Sequence, residues 1–368
     1  MKRAAVLGAA LFACAHAAPR DSRKLEFTEP VVITAGPPEQ ALLGNLDEAT
    51  LFDVGTRAFQ AGDYAKASAH FERLLSSFPA SSQFLPALWN AGLSAERLGR
   101  YGDALERFAR YLGRSDEVDA QFHAAVAEYK LGRLDDAAKR LDLVAQRPGI
   151  SPQRRGEALV QEGVCRVESG ARTEGERLLR QALQVFDKEL ADEAVDPALP
   201  AQAEFWLGEA YRGYFQDSRL DPGSMDEAKL TAALETKAEF LLSAQGHYLR
   251  AVRKGDGEWA TAAGFRIGAL YEELHDELVG ARLPEGLTQD QRAIYQEELH
   301  KKVKNLVSKA IRLYEQTLDT AQRVGAQNPY VEKTQEALAR LRKLLLDPPT
   351  DTPPDPARPA SASAPQVN

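Results

Sequence analysis

The sequence contains only two cysteines, Cys14 and Cys165, among its 368 residues. Two thiols cannot form a framework of disulfides, and a structural zinc site normally takes four cysteine or histidine ligands. The histidines are dispersed along the chain without the spacing of metal ligands. We therefore predict neither a disulfide-stabilised domain nor a metal site, and we expect Cys165 to be a small buried residue of a helix.

An excess of positive charge and long apolar runs are also missing. The chain has 46 lysines and arginines against 54 aspartates and glutamates, which gives a net charge of −8. Affinity for nucleic acid depends mostly on neutralising phosphates, so this balance argues against nucleic acid as the ligand. Beyond residue 14 no stretch approaches the roughly 18 uninterrupted apolar residues that a transmembrane helix needs.

Catalytic motifs are absent as well. The sequence has no GxSxG, HExxH, P-loop or GxGxxG pattern. Its composition, 44% apolar and 27% charged, is that of a globular chain. We therefore predict no enzyme, no cofactor and no small-molecule substrate, and we expect the function to depend on a binding surface.

Residues 1–13 have the pattern of an export signal. Lys2 and Arg3 precede an apolar run over residues 4–13, which is too short to span a membrane. The sequence "LFAC" at 11–14 resembles the bacterial lipobox, although Phe12 is unusual at its position. This resemblance implies cleavage before Cys14 and a lipid anchor on that residue. Ala15 after it implies passage to the outer membrane.

The alternative is an ordinary signal peptide cleaved after Ala17, which leaves a soluble periplasmic protein. Residues 14–45 have no helical period and contain four prolines, so we predict a flexible tether. Residues 347–368 are rich in proline, alanine and serine and have no core-forming residues, so we predict a disordered tail.

One pattern of small and large apolar residues occurs four times over residues 46–190. In its first copy Gly55 is followed by Gly62, Ala67 and Phe71, which come seven, twelve and sixteen residues later. The next copies are Gly92, Gly99, Ala104 and Phe108; Ala125, Gly132, Ala137 and Leu141; and Gly163, Gly170, Gly175 and Leu179. The first position allows a second helix to approach closely. A glycine at the second position ends the first helix in the left-handed conformation.

This spacing resembles the tetratricopeptide repeat (TPR), a helix–turn–helix unit of about 34 residues. The resemblance implies helical hairpins that stack side by side, because no single hairpin can bury both of its faces. The resemblance also implies a curved rod whose function is to hold other proteins.

Two longer units follow over residues 198–346. Ala244 follows Gly208 by 36 residues and Ala310 follows Gly268 by 42, where the first copy has twelve. The added residues have helical periodicity, and Ser224 with Glu227 and Thr288 with Gln291 resemble capping boxes. A last helix over 328–346 is expected to cap the stack. We therefore predict an all-α, TPR-type α-solenoid of about six helical hairpins, with elongated hairpins in the last two repeats.

The TPR resemblance also implies that the first helices line a concave groove for a peptide or helix of a partner. The residues at the family's groove positions are Phe52, Phe59, Trp89, Arg97, Phe122, Tyr129, Lys130, Phe205, Arg212 and Phe265. An exposed row of aromatic rings with interspersed cations is typical of a recognition surface. If the first helices are offset by one residue from the family's repeat positions, the same rings become buried packing residues. Both interpretations stay open.

The sixth unit resembles TPR lipoproteins of bacterial gliding-motility machineries. The shared features are Phe265 to Gly268, the turn from Pro284 to Thr288, Tyr295, and Lys309 with Ala310 to Glu315. This resemblance covers about the last third of the chain and implies a component of a trans-envelope complex, with other envelope proteins as partners. The alternative is an outer-membrane assembly or pilotin-like TPR lipoprotein that handles β-barrel or secretin clients.

Overall fold

The computed structural model of the chain describes residues 47–190, 195–221, 225–281, 283 and 286–346. The predicted signal peptide, the lipidation site Cys14, the tether and the C-terminal tail lie outside the described residues. Within the described ranges the regular elements are thirteen α-helices, so the predicted all-α class is confirmed. No helix in these ranges is long and apolar enough to span a lipid bilayer.

The first eight helices pair into four short hairpins. Their bounds are α1 Glu48–Gln60, α2 Tyr64–Ser77, α3 Phe84–Arg97, α4 Tyr101–Leu112, α5 Val118–Lys130, α6 Leu134–Ala145, α7 Pro152–Glu168 and α8 Arg172–Lys188. Each second helix also packs against the first helix of the next pair. The hairpins therefore form one continuous stack, as a solenoid requires.

Glycines in the left-handed conformation form the turns of these four hairpins. Gly62, Gly99, Gly132 and Gly170 have φ angles of 78°, 71°, 75° and 87°. In the first turn the N–H of Asp63 donates to the carbonyl of Ala58 at 2.9 Å. The carboxylate of Asp63 accepts from the N–H of Lys66 at 3.0 Å. A single short segment thus ends α1, as the glycine spacing predicted, and also caps α2.

In most hairpins the two helices cross where a glycine faces a large side chain. A Cβ atom added to Gly55 would lie 2.8 Å from the Phe71 ring, and one added to Gly92 would lie 2.8 Å from the Phe108 ring. Both rings are fully buried. The missing methyl group is therefore what lets the ring approach the first helix this closely.

Two longer hairpins keep the same contact. They consist of α9 Ala198–Asp217 with α10 Glu227–Arg253, and α11 Gly257–Gly280 with α12 Gln289–Val324. A Cβ atom on Gly208 would collide with the Tyr248 ring, and one on Gly268 would collide with the Tyr314 ring. The intervening residues lengthen the helices on either side of the turn, so the predicted elongated hairpins are confirmed. The last helix, α13 Pro329–Leu346, packs on α11 and α12.

One of the two predicted capping boxes is confirmed, and Ser224 of the other lies outside the described residues. Thr288 Oγ1 accepts from the N–H of Gln291 at 3.3 Å, and Gln291 Oε1 accepts from the N–H of Thr288 at 2.9 Å. Helix α10 begins later than predicted, because its N-cap is Asp226. The Asp226 carboxylate accepts from the N–H of Lys229 at 2.9 Å.

The start of α12 extends beyond the stack. Helix α12 has 36 residues and α11 has 24, and Gly257 at the start of α11 lies beside Val324 at the end of α12. About twelve residues of α12 therefore extend past α11, a length of about 18 Å. Residues 289–300 of this arm are exposed apart from the half-buried Tyr295 and Leu299.

A buried lysine holds the end of α9. Lys237 is 1% exposed, and its Nζ donates to the carbonyls of Phe215 and Ser218 at 2.7 Å each. Glu277 of α11 places a carboxylate oxygen 2.6 Å from the same Nζ and accepts from the N–H of Leu220 at 2.9 Å. The ammonium group satisfies carbonyls at the negative end of the helix dipole, and Glu277 balances its charge.

We predict that Gly208→Ala destabilises the chain by about 1–3 kcal/mol, because the new methyl group meets the buried Tyr248 ring. The control is Gly246→Ala in the same hairpin, where the added Cβ meets only Arg250 Nη1 at 3.5 Å. Alanine favours a helix over glycine, so this control is expected to leave stability unchanged or raise it. Urea unfolding, followed by circular dichroism, measures the free energy of unfolding of both variants. Equal midpoints for Gly208→Ala and the wild type contradict the prediction.

A second prediction concerns pH. Burial, together with the nearby Asp142 carboxylate, raises the pKa of Glu162 from its ordinary value of 4.5 to about 7. Glu162 Oε2 is buried and has no hydrogen-bond partner among the described residues. The folded chain therefore keeps a proton that the unfolded chain loses as the pH rises above 4.5. Stability is expected to fall between pH 4.5 and 7 by up to about 3 kcal/mol.

Glu162→Gln is expected to abolish this decline, because the amide does not ionise. Glu106→Gln, which removes one charge at an exposed position of α4, serves as the control. Urea unfolding at pH 4.5, 6, 7 and 8 gives the free energies. A wild-type curve parallel to that of Glu162→Gln over this range contradicts the prediction.

Candidate functional site

Polar side chains join the first helices to one another from α3 onwards, along the inner face of the stack. We call these pairs the polar ladder: Glu96 with His123 at 2.9 Å, Asp119 with Arg154 at 2.6 Å, Gln161 with Gln202 at 3.2 Å, Glu209 with Arg266 at 2.9 Å, and Glu272 with Arg340. The pairs connect α3, α5, α7, α9, α11 and α13 in order. Because a polar group buried without a partner is costly, each pair favours one register between neighbouring hairpins.

Most of the aromatic rings expected in a groove lie in the core. Six of them have between 1% and 7% of their surface exposed, namely Phe52, Phe59, Trp89, Phe122, Tyr129 and Phe205. Phe265 is half-buried. An exposed aromatic row is therefore wrong for the six buried rings, and the alternative interpretation of packing residues describes where they lie.

These rings are buried because they contact the large side chains of the second helices. Phe52 contacts Phe71 edge-on at a centroid distance of 5.7 Å, and Trp89 contacts Phe108 in the same way at 5.9 Å. Phe265 stacks on Tyr314 at 5.9 Å. The rings thus fill the hairpins next to the glycine contacts.

The three expected groove cations lie in different surroundings. Arg97 is exposed at the end of α3, and Lys130 is half-buried with its Nζ 6.0 Å from the ring of Tyr129. Arg212 is half-buried, and its Nε donates to Glu273 Oε1 at 3.0 Å. Of these three cations, Arg212 is the one that lies with other charged groups around a concave site, which Phe205 of the predicted set also lines.

That site is a cleft of about 360 Å³ between the end of α7, the start of α8, and helices α9, α11 and α13. We call it the α9 cleft, because α9 supplies most of its wall. Its principal polar residues are Arg172, Trp206, Glu209, Arg212, Arg266 and Tyr330. The volume lies in the range of ligand-binding pockets.

Charged groups in the α9 cleft are paired. Glu209 Oε1 lies 2.9 Å from Arg266 Nε, and Glu209 Oε2 lies 3.8 Å from Arg212 Nη1. Burial lowers the pKa of Arg266, but the Glu209 carboxylate together with Tyr248, Tyr330 and Glu273 outweighs this effect and raises the pKa, so the guanidinium stays charged. Arg172 Nη1 lies 2.5 Å from Asp217 Oδ2 at the rim.

Trp206 is a polar residue of the cleft whose N–H group has no partner of this kind. Its side chain is 5% exposed and contacts Phe205 edge-on at 5.9 Å. Its Nε1 atom is buried and has no hydrogen-bond acceptor among the described residues. A buried donor without an acceptor costs about 1–3 kcal/mol, and such groups are rare in folded proteins.

Sequence reasoning missed Trp206 and Arg266 as site residues, although a signal was present. Trp206 lies two residues before Gly208, and Arg266 lies two residues before Gly268. The same position holds His123 and Gln161 in earlier hairpins, and these belong to the polar ladder. No group of three or more histidine, cysteine, aspartate or glutamate side chains suited to a metal ion occurs in the part of the chain that the structure describes.

Comparison with known proteins supports the repeat interpretation. Residues 90–153, from the middle of α3 to the start of α7, match the tetratricopeptide repeat family. No curated protein sequence matches the chain.

Solved structures similar to the chain include a tetratricopeptide repeat protein from Parabacteroides merdae, with 14% identity over 80% of this chain and 98% of that one and a TM-score of 0.39. The apo form of RapI has 11% identity over 81% and 98% of the two chains, with a TM-score of 0.46. A TPR repeat protein from Bacteroides fragilis has 13% identity over 82% and 100%, with a TM-score of 0.28. At these scores we draw nothing about function from the superpositions.

Proposed function

We propose that the chain is a non-enzymatic scaffold that holds other proteins in a bacterial envelope complex. The observation that carries this proposal is the continuous stack of hairpins from α1 to α13, with the polar α9 cleft in the face formed by the first helices. Stacks of this kind present extended binding surfaces, and their usual ligands are proteins.

The envelope location rests on the sequence of residues 1–14. A basic start, a short apolar run and the lipobox-like "LFAC" together support export and lipidation of Cys14. A lipid anchor fixes the scaffold at the membrane, and the predicted tether of residues 14–45 lets it reach partners in the periplasm.

A role in a gliding-motility-type machinery is the narrower proposal. It rests on the similarity of the sixth unit to TPR lipoproteins of such machineries, in particular Phe265 to Gly268 and the turn before α12. The arm formed by the start of α12 belongs to this unit and offers exposed helix surface away from the stack.

We predict that Cys14→Ala moves the protein from the membrane fraction to the soluble periplasmic fraction. Acyl chains contribute about 0.8 kcal/mol per buried CH₂ group, so their loss removes the anchor. The control is Cys165→Ala, because Cys165 is fully buried in α7 and has no surface to modify. Fractionation and immunoblotting measure the distribution. Retention of Cys14→Ala in the membrane at the wild-type level contradicts a lipid anchor.

Purification of the tagged protein from envelope extracts tests the scaffold itself. We expect envelope proteins in a fixed molar ratio that survives size-exclusion chromatography. Recovery of unfolded β-barrel or secretin subunits in variable amounts would instead favour the assembly-factor alternative. A preparation with no envelope partner contradicts both.

A further inference from the structure

Helix α10 has an apolar strip on the outer surface of the stack. The opposite side of this helix is packed, since Tyr248 and Ala251 are fully buried. Three large apolar side chains, more than on any other helix in the described ranges, are at least 37% exposed, namely Leu234, Leu242 and Leu249. Single exposed leucines are ordinary on a protein surface, whereas several along one helix indicate a contact with a partner.

The strip follows a seven-residue spacing. Glu235, Leu242 and Leu249 lie seven residues apart, and so do Gly246 and Arg253. This spacing keeps side chains on nearly the same side of a helix, and two helices that pair along their length use it. We call the resulting surface the α10 face, which consists of Glu235, Ala238, Leu242, Gly246, Leu249 and Arg253. The α10 face is therefore suited to a second helix that lies along it.

Gly246 lies in the middle of the α10 face, and no contact in the described chain requires a glycine there. A Cβ atom at this position would meet only Arg250 Nη1 at 3.5 Å, whereas one on Gly208 would collide with the Tyr248 ring. A glycine inside a helix costs about 1 kcal/mol relative to alanine. The space above Gly246 is open to a side chain of a second helix.

The α10 face has a shape that is complementary to itself when a second copy runs in the opposite direction. A two-fold axis beside Ala244 places Leu242 of each copy opposite Gly246 of the other, because both lie two residues from the axis. The same axis brings Leu249 of each copy close to Ala238 of the other. A large side chain thus faces a small one at every step, and both copies use the same surface, as a two-fold interface requires.

The charges of α10 favour the same arrangement. Glu235 and Glu239 are exposed towards the start of the helix, and Arg250 and Arg253 are exposed towards its end. Glu235, Glu239 and Arg253 have no ion pair among the described residues. In the antiparallel pair Glu235 lies opposite Arg253 at both ends, about 13 Å from the axis. A parallel pair would instead bring like charges together, so the charges select the antiparallel direction.

We propose that the chain pairs with a second copy of itself through the α10 face, with the two α10 helices antiparallel. This inference goes beyond the scaffold function and does not depend on it. The strip from Glu235 to Arg253 is about 28 Å long and about 10 Å wide, so each copy buries roughly 300 Å², less than the about 800 Å² of a standard interface. The dimer is therefore weak and dissociates on dilution.

Sedimentation velocity of the full-length chain carrying Cys14→Ala, which removes the lipid anchor, tests this proposal. Between about 1 and 300 µM we expect a shift from monomer to dimer. Leu242→Glu replaces the central leucine with a charge and is expected to raise the dissociation constant at least about tenfold. The control is Leu143→Glu on α6, where the leucine is 74% exposed and lies outside the α10 face, and it is expected to leave the dissociation constant unchanged.

Charge reversal tests the direction of the helices. Glu235→Arg and Arg253→Glu each place like charges opposite one another, so each is expected to raise the dissociation constant about threefold to tenfold. An equimolar mixture of these two variants restores opposite charges at both ends. The double variant does the same within one chain. Both are expected to recover the wild-type dissociation constant.

Gly246→Ala separates dimerisation from folding. Alanine favours a helix, so the monomer, unfolded in urea well below the dissociation constant, is expected to be at least as stable as the wild type. The added methyl group occupies the space for Leu242 of the second copy, so the dissociation constant is expected to rise about threefold or more. A change of the two quantities in opposite directions is not expected of a residue with a merely structural role.

Three results overturn the proposal. One is a chain that stays monomeric over the whole concentration range, which would leave the α10 face to another protein or to another segment of this chain. The second is a dimer whose dissociation constant is unchanged by Leu242→Glu, because its interface then lies elsewhere. The third is a mixture of the two charge variants that associates no better than either alone, which contradicts the antiparallel pair. Recovery of envelope partners tests the scaffold separately from all three.

Discussion

A side chain of the second helix lying on a glycine of the first is the contact on which the hairpins depend. At Gly55, Gly92, Gly208 and Gly268 the facing group is an aromatic ring, and at Gly163 it is Leu179. A methyl group at any of these positions would hold the helices apart. The close crossing buries the ring completely, and the buried ring in turn becomes the surface against which the next hairpin packs. Helix pairing and hairpin stacking therefore depend on the same atoms.

The two elongated hairpins show that this contact tolerates long insertions. In both cases the glycine and the ring keep their contact, and the added residues extend the helices on the far side of the crossing. The added helix turns need contacts of their own to be held against the stack. In the fifth hairpin Lys237 and Glu277 provide it by binding the end of α9 to α11. At the start of α12 the described residues show no such support, and that helix continues into exposed surface.

The fold was predictable because its determinants are local. Glycine, alanine and ring positions recur at fixed distances, and the capping box of Thr288 lies within four residues. The cap at Asp226 was missed because serine and aspartate are both good N-caps and several candidates lay close together. The groove prediction failed for a geometric reason. Neighbouring residues of a helix point in directions that differ by about 100°, so an error of one residue in the repeat positions assigns a core side chain to the surface. The α9 cleft was beyond sequence reasoning, because its walls come from Val167 to Tyr330 and meet only after the hairpins stack.

The polar ladder passes through the α9 cleft, which is lined by the Glu209–Arg266 pair. Two residues before the small residue at the helix crossing, α5 has His123 and α7 has Gln161, and each bonds to a neighbouring first helix. In α9 this position holds Trp206, whose Nε1 has no acceptor among the described residues, and in α11 it holds Arg266, which pairs with Glu209 of α9. The first helices from α3 to α13 are therefore held together by polar pairs, and the indole of Trp206 takes no part in them.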